Sequence, residues 1–172
     1  DSQPPSNALP LRDMANPHKG NFSTGNCNMN EIPYVNGAPD PGFYPKCART
    51  WRWNRGQPDH YTELVDKDTW ICNDERDNGC VHLNSGIFNK AMYLAVNGGD
   101  HHGVHLQGIN AKKLVRIMFQ TLSNKLTPTS DLKTGGEKSV EACADLIGQY
   151  QINQSDCDKV KQAFVAVGLV SP

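Results

Sequence analysis

Asp77-Asn-Gly-Cys-Val-His82-Leu-Asn-Ser-Gly-Ile-Phe-Asn-Lys-Ala91 is the stretch where the chain changes character. Before it, few residues recur at helical or strand spacing. After it, apolar residues return every three or four positions, the period of amphipathic helices. The pattern predicts a first helix from Asn84 to Asn97, with Ile87, Ala91 and Leu94 inward and Gly98-Gly99 as its stop. Ser85 reads as a cap at its start. Asn110 caps a second helix, to Leu126, with Leu114, Ile117, Met118, Thr121 and Leu122 inward and Pro128 closing it. A third runs from Glu137 to Tyr150, with Val140, Cys143, Ala144 and Ile147 inward. Ser155 caps a fourth, with Asp158 at the capping-box position. Its inner face is Val160, Ala163, Phe164 and Val167, and Gly168 ends it. The expected fold class is mainly α, a bundle of about four helices.

The 172 residues suit a single domain, with 1–80 loop-rich and 81–172 the bundle. Pro4-Pro5, Asn36-Gly37 and Pro39-Asp40-Pro41-Gly42 are turn signals in the first part. Six cysteines occur with no Cys-x-x-Cys pair, which removes zinc-ribbon and thioredoxin readings. Proximity in sequence favours the disulfides Cys27–Cys47, Cys72–Cys80 and Cys143–Cys157, without proving them. An even, well-spaced set fits an oxidising compartment and a secreted, extracellular protein. Two sequons make Asn21 and Asn153 glycosylation candidates. The start at Asp1, without an apolar leader, reads as a processed product.

Lys and Arg number 17 against 18 Asp and Glu, a net charge of −1. That balance argues against nucleic acid or a membrane surface as partner. No apolar run approaches the ~18 residues of a membrane span.

The stretch from Asp77 resembles the C-terminal lobe of the thermolysin family of secreted zinc metallopeptidases, which carries DNGGVHxNSGIxNKAAYL there. Gly56-Gln-Pro-Asp-His-Tyr61, His101-His-Gly-Val104, Leu126-Thr-Pro-Thr-Ser130 and Val160-Lys-Gln-Ala-Phe-Val-Ala-Val-Gly168 are similar in the same order. Leu11-Arg12-Asp-Met-Ala-Asn-Pro17 looks like the family's LRSMSDP segment. The resemblance covers Leu11–Pro17 and Gly56–Gly168. It implies an α-helical lobe forming one wall of a peptide cleft. His82 matches the family histidine that donates a hydrogen bond to the tetrahedral oxyanion, and Asp77 the aspartate that orients it and raises its pKa. A carboxylate beside an imidazole favours the charged form, which then meets developing negative charge. Arg12 matches the arginine that holds the substrate carbonyl, and Leu11 a residue of the pocket beyond the scissile bond. Without the resemblance, His82 and Arg12 read as solvated surface groups and Asp77 as a turn former.

The chain departs from the family in three places. Residues 18–55 look like an insertion carrying one cysteine pair. Cys80 replaces the second Gly of DNGG, so a side chain stands where the family has none. The catalytic His-Glu-x-x-His motif is absent, as no His-Glu dipeptide occurs. That motif puts two histidines on one helical face with a Glu to activate water. The family order places the zinc lobe upstream of Asp1. The resemblance thus implies no cofactor and no metal ligand in this chain, and zinc only with that missing lobe.

His101-His102-x-x-His105 invites a metal reading, but the family has a histidine in this loop without metal, which favours a plain surface loop. Trp51-Arg-Trp53-Asn-Arg55 suits stacking on sugar rings or bases, or covering of the small insertion, which is favoured. Three functions follow. The first is the substrate-binding lobe of a thermolysin-like zinc endopeptidase, inactive alone, with a peptide substrate and the missing zinc lobe as partners. The second is a secreted, non-catalytic binding or defence protein, lectin-like, taking glycans or peptides. The third is an enzyme whose hydrolysis uses the histidine loop.

Overall fold

The computed structural model describes residues 14, 34–35, 38–39, 57–65 and 77–172. Strands β1 (Tyr34–Val35) and β2 (Ala38–Pro39) pair antiparallel. Their register brackets Asn36-Gly37, the dipeptide that favours two-residue hairpins. A 3-10 turn follows at Tyr61–Glu63. The rest is α1 (Asp77–Asn97), the hairpin β3 (Gly99–His101) and β4 (Val104–Leu106), α2 (Ala111–Asn124), α3 (Leu132–Asp145) and α4 (Gln154–Ala166). This is the mainly helical fold the periodicity predicts. Among the described residues no helix is long and apolar enough to cross a membrane.

The helices pack as a chain of neighbours: α1 on α4, α4 on α3, and α3 on α2. Ile87 and Leu94 of α1, Ile117 of α2, and Val160, Phe164 and Val167 around α4 meet in one buried core. Full burial of each such side chain contributes about 1.5–3 kcal/mol. The α4 end is a Schellman turn: Leu169 N–H donates to Phe164 O at 3.0 Å and Gly168 N–H to Val165 O at 2.9 Å. Gly168 takes φ 75°, as its place after the helix requires.

Several boundaries differ from the sequence reading. The α1 element opens at Asp77, but Asn78, Gly79 and Cys80 are all left-handed, with φ 41°, 72° and 71°. Regular helix follows Cys80. That residue is fully buried and disulfide-bonded, which holds a non-glycine residue in a conformation costing about 1–2 kcal/mol. Ser85 is not the cap; its hydroxyl donates to the His82 carbonyl inside the helix, at 2.7 Å.

Helix α3 starts at Leu132 rather than Glu137, capped by Asp131, whose carboxylate accepts from Thr134 N–H at 2.7 Å. Gly135 and Gly136 lie inside it because they face close neighbours. A Cβ on Gly135 would stand 3.1 Å from the Phe88 ring, and one on Gly136 3.1 Å from Leu169 Cβ. The buried face is rotated by one position from the expected one: Ser139, Ala142, Cys143 and Leu146 are buried, Val140 is half-buried, and Ala144 and Ile147 are exposed. In α2, Thr121 takes the inner position and donates to Ile117 O at 2.8 Å. Leu122 points out, 65% exposed, beside Val115 and Phe119.

Helix α4 is capped by Asn153, not Ser155. Asn153 Oδ1 accepts from Asp156 N–H and Asp156 Oδ2 accepts from Asn153 N–H, each at 3.0 Å. The disulfide Cys143–Cys157 forms as expected and ties α3 to the start of α4. Cys27, Cys47 and Cys72 lie outside the described residues.

Candidate functional site

The start of α1 and the segment 57–65 build one platform. Gln57 is buried, and its Nε2 donates to the carbonyl of His82. The Ser85 hydroxyl donates to the same oxygen. Two residues on, buried Asn84 accepts from Val65 N–H and donates to Val65 O, both at 2.9 Å. Gly86 admits the segment this closely. A Cβ there would stand 2.4 Å from Gln57 Cβ and 2.5 Å from the Pro58 carbonyl oxygen. At the other end, Tyr61 N–H donates to Val167 O at 2.8 Å, at the end of α4. The His82 backbone is therefore fixed on a helix while its side chain is exposed. A fixed backbone of this kind is one part of the preorganisation that a donor to an oxyanion needs.

The same segment meets the β3–β4 hairpin in a cluster of histidines. His101 Nε2 lies 3.1 Å from the Asp59 carbonyl oxygen and 3.8 Å from Asp59 Oδ1. His102 Nε2 lies 3.9 Å from the same Oδ1. One ligand atom from each of Asp59, His101 and His102 falls within 4.8 Å of the others. His60 stacks on His102, with ring centroids 4.1 Å apart. Its Nδ1 is engaged by Thr62, through the hydroxyl at 2.8 Å and the N–H at 3.2 Å. Burial pushes His60 below the ordinary imidazole value, helped by His102 and opposed by Glu63 and Asp59. Burial likewise lowers His101, against the pull of the Asp59 carbonyl and carboxylate and with the help of Lys90 and His102.

The histidine motif of the sequence is thus divided. His101 and His102 face Asp59, whereas His105 pairs with Asp100 at 2.7 Å, with both side chains exposed. Asp59 carries no signal for this role in the sequence, because 42 residues separate it from His101. Only the hairpin brings the two together.

Of the other expected site residues, Arg12, Leu11 and Asn21 lie outside the described residues, as does Trp51-Arg-Trp53-Asn-Arg55. Asp77 is described by its backbone, as the first residue of α1. Asn153 is exposed, and its side-chain oxygen caps α4.

A thermolysin-type catalytic zinc does not fit the donors found here. Among the described residues the histidine cluster contains no glutamate and no pair of histidines at i and i+4 on one helix.

The family described as thermolysin metallopeptidase, alpha-helical domain, matches residues 2–169. The chain is 42% identical over 114 residues to a thermostable neutral protease of Geobacillus stearothermophilus, covering 66% of this chain and 19% of that protein. It is equally similar to a bacillolysin of Bacillus caldolyticus, at 42% over 114 residues with the same coverage. Neutral protease B of Bacillus subtilis is 34% identical over 116 residues, which cover 67% of this chain and 20% of that protein. The matched stretch spans about a fifth of the length of these curated relatives.

Proposed function

Since the chain belongs to the thermolysin metallopeptidase family, as its alpha-helical domain, we propose that it serves as the C-terminal substrate-binding lobe of a secreted zinc endopeptidase. The observation that carries this reading is the footing of His82. Its carbonyl is tied by Gln57 and Ser85 while its imidazole stays exposed at the start of α1. In the proposed role that imidazole donates to the oxyanion of a peptide under attack. Arg12 binds the substrate carbonyl and Leu11 lines the neighbouring pocket. Asp77 is the partner that orients His82 in this reading.

Zinc and its activated water belong to a lobe encoded upstream, so this chain alone does not hydrolyse peptides by that chemistry. The Cys143–Cys157 disulfide supports an extracellular setting, where such bonds persist. Reading the coding sequence upstream of Asp1, and assaying the full gene product on a blocked peptide, tests the proposal. A His-Glu-x-x-His segment and cleavage on the amino side of a large apolar residue are expected. A reading frame without that motif overturns it.

A further inference from the structure

We propose that Asp59, His101 and His102 bind a divalent first-row transition ion, Zn(II) foremost, as a staple between the segment preceding α1 and the β3–β4 hairpin. This goes beyond the peptidase reading and does not depend on it. The residues lie outside any helix, and their proposed role is to hold two parts of the fold together.

The donor set favours this class of ion. Two imidazole nitrogens and one carboxylate suit Zn, Ni and Cu, whereas Ca and Mg take oxygen ligands. Three protein ligands leave a fourth position for water. The distances are close to what coordination needs. Bonds of about 2.0–2.1 Å in tetrahedral geometry hold ligand atoms about 3.3 Å apart. The Asp59 oxygen already stands 3.8 and 3.9 Å from the two Nε2 atoms. Both gaps have to close, and a shift of the shared Asp59 carboxylate together with the 44% exposed His102 side chain would do so. His101 Nε2 exchanges its contact with the Asp59 carbonyl for the ion.

The hairpin turn explains how the two imidazoles come together. His101 pairs with Val104, leaving His102-Gly103 as a two-residue turn with φ 44° and 78°. Asn, Asp or Gly is the usual first residue of such a turn. A histidine in this left-handed position keeps a conformation of higher energy. It places a second imidazole beside that of His101, with ring centroids 4.6 Å apart. His60 stacked on His102 limits the directions that ring takes.

The staple would act on the support of His82. Asp59 lies two residues beyond Gln57, the donor to the His82 carbonyl. A bound ion would hold residues 57–60 against the hairpin and stabilise the folded chain by linkage.

The test uses the full chain, stripped with a chelator and titrated with ZnCl2 and with CoCl2. One equivalent of Zn(II) is expected with Kd on the order of 1 μM or tighter. Co(II) should give the visible bands of a four-coordinate site, and Tm should rise with Zn(II). His102→Ala removes an exposed ligand, so its fold should persist by circular dichroism. It should lose on the order of tenfold or more in affinity, and the Tm response with it. His105→Ala should bind as the native chain does. Absence of saturable Zn(II) uptake, or affinity undiminished in His102→Ala, overturns the proposal, as does loss of binding in His105→Ala alone.

Discussion

Asn84 holds the backbone of Val65 from both sides, accepting from its N–H and donating to its carbonyl at 2.9 Å each. Both residues are buried, so water cannot replace either bond without rearrangement. The pair joins the start of α1 to the segment before it. Asn84→Ala should therefore leave two buried backbone groups unsatisfied and cost about 2–4 kcal/mol. Asn84→Asp sets a buried carboxylate against the Val65 carbonyl oxygen, and should be at least as destabilising as Ala at pH 7. Urea melts of the three chains check the order.

Gly86 is where the segment touches the helix. Gly86→Ala puts a methyl group 2.4 Å from Gln57 Cβ and 2.5 Å from a backbone oxygen, so the segment must retreat. Overpacking of this kind costs about 1–3 kcal/mol. The retreat draws Gln57 Nε2 away from the His82 carbonyl. Hydrogen exchange at residues 57–65 should rise more than at the α3–α4 contact. Equal change everywhere would show that the strain is not local.

Asp156 gives the fold a dependence on acid. It closes the α4 capping box and receives Lys113 Nζ of α2 at 2.7 Å. Burial works to raise its pKa, but the Lys113 bond, the Asn153 N–H and the charges of Lys113 and Lys159 outweigh it and hold the carboxyl below the usual range. Between that lowered value and about pH 4 the unfolded chain binds more protons than the folded one. The contribution is thus present above about pH 4 and lost as pH falls through the folded value. Asp156→Asn should lower Tm at pH 7, and the gap to the native chain should narrow toward pH 2. Thermal melts across that range check the sign.

The periodic parts of the fold were legible from residue types alone. Ile87, Ala91 and Leu94, and Val160, Ala163, Phe164 and Val167, are buried as their spacing predicts. The failures have specific causes. Gly135-Gly136 lowers helix propensity, yet close packing against Phe88 and Leu169 keeps the pair inside α3. Leu122, expected inward with Thr121, is 65% exposed, while Thr121 is buried as expected with its hydroxyl satisfied by the Ile117 carbonyl. Asn153 and Ser155 each have an Asp three residues on, but Asp156 reaches back to Asn153 N–H whereas Asp158 accepts from Gln154 Nε2 at 2.9 Å, so the α4 cap lies at Asn153.

The candidate site divides the same way. His82 and His101-His102 are visible as local motifs. Their supports, Gln57, Val65 and Asp59, lie 25, 19 and 42 residues from the partners they meet. No local spacing encodes such contacts, and only the closed fold brings them together.

In the proposed enzyme His82 stabilises the oxyanion of peptide hydrolysis. The most direct measure of that role is kcat of the full gene product on a blocked peptide, native against His82→Ala, with KM recorded alongside. A fall in kcat of roughly 10²–10³ with KM little changed is expected, the loss of one donor acting only in the transition state. Equal kcat in the two enzymes would contradict it.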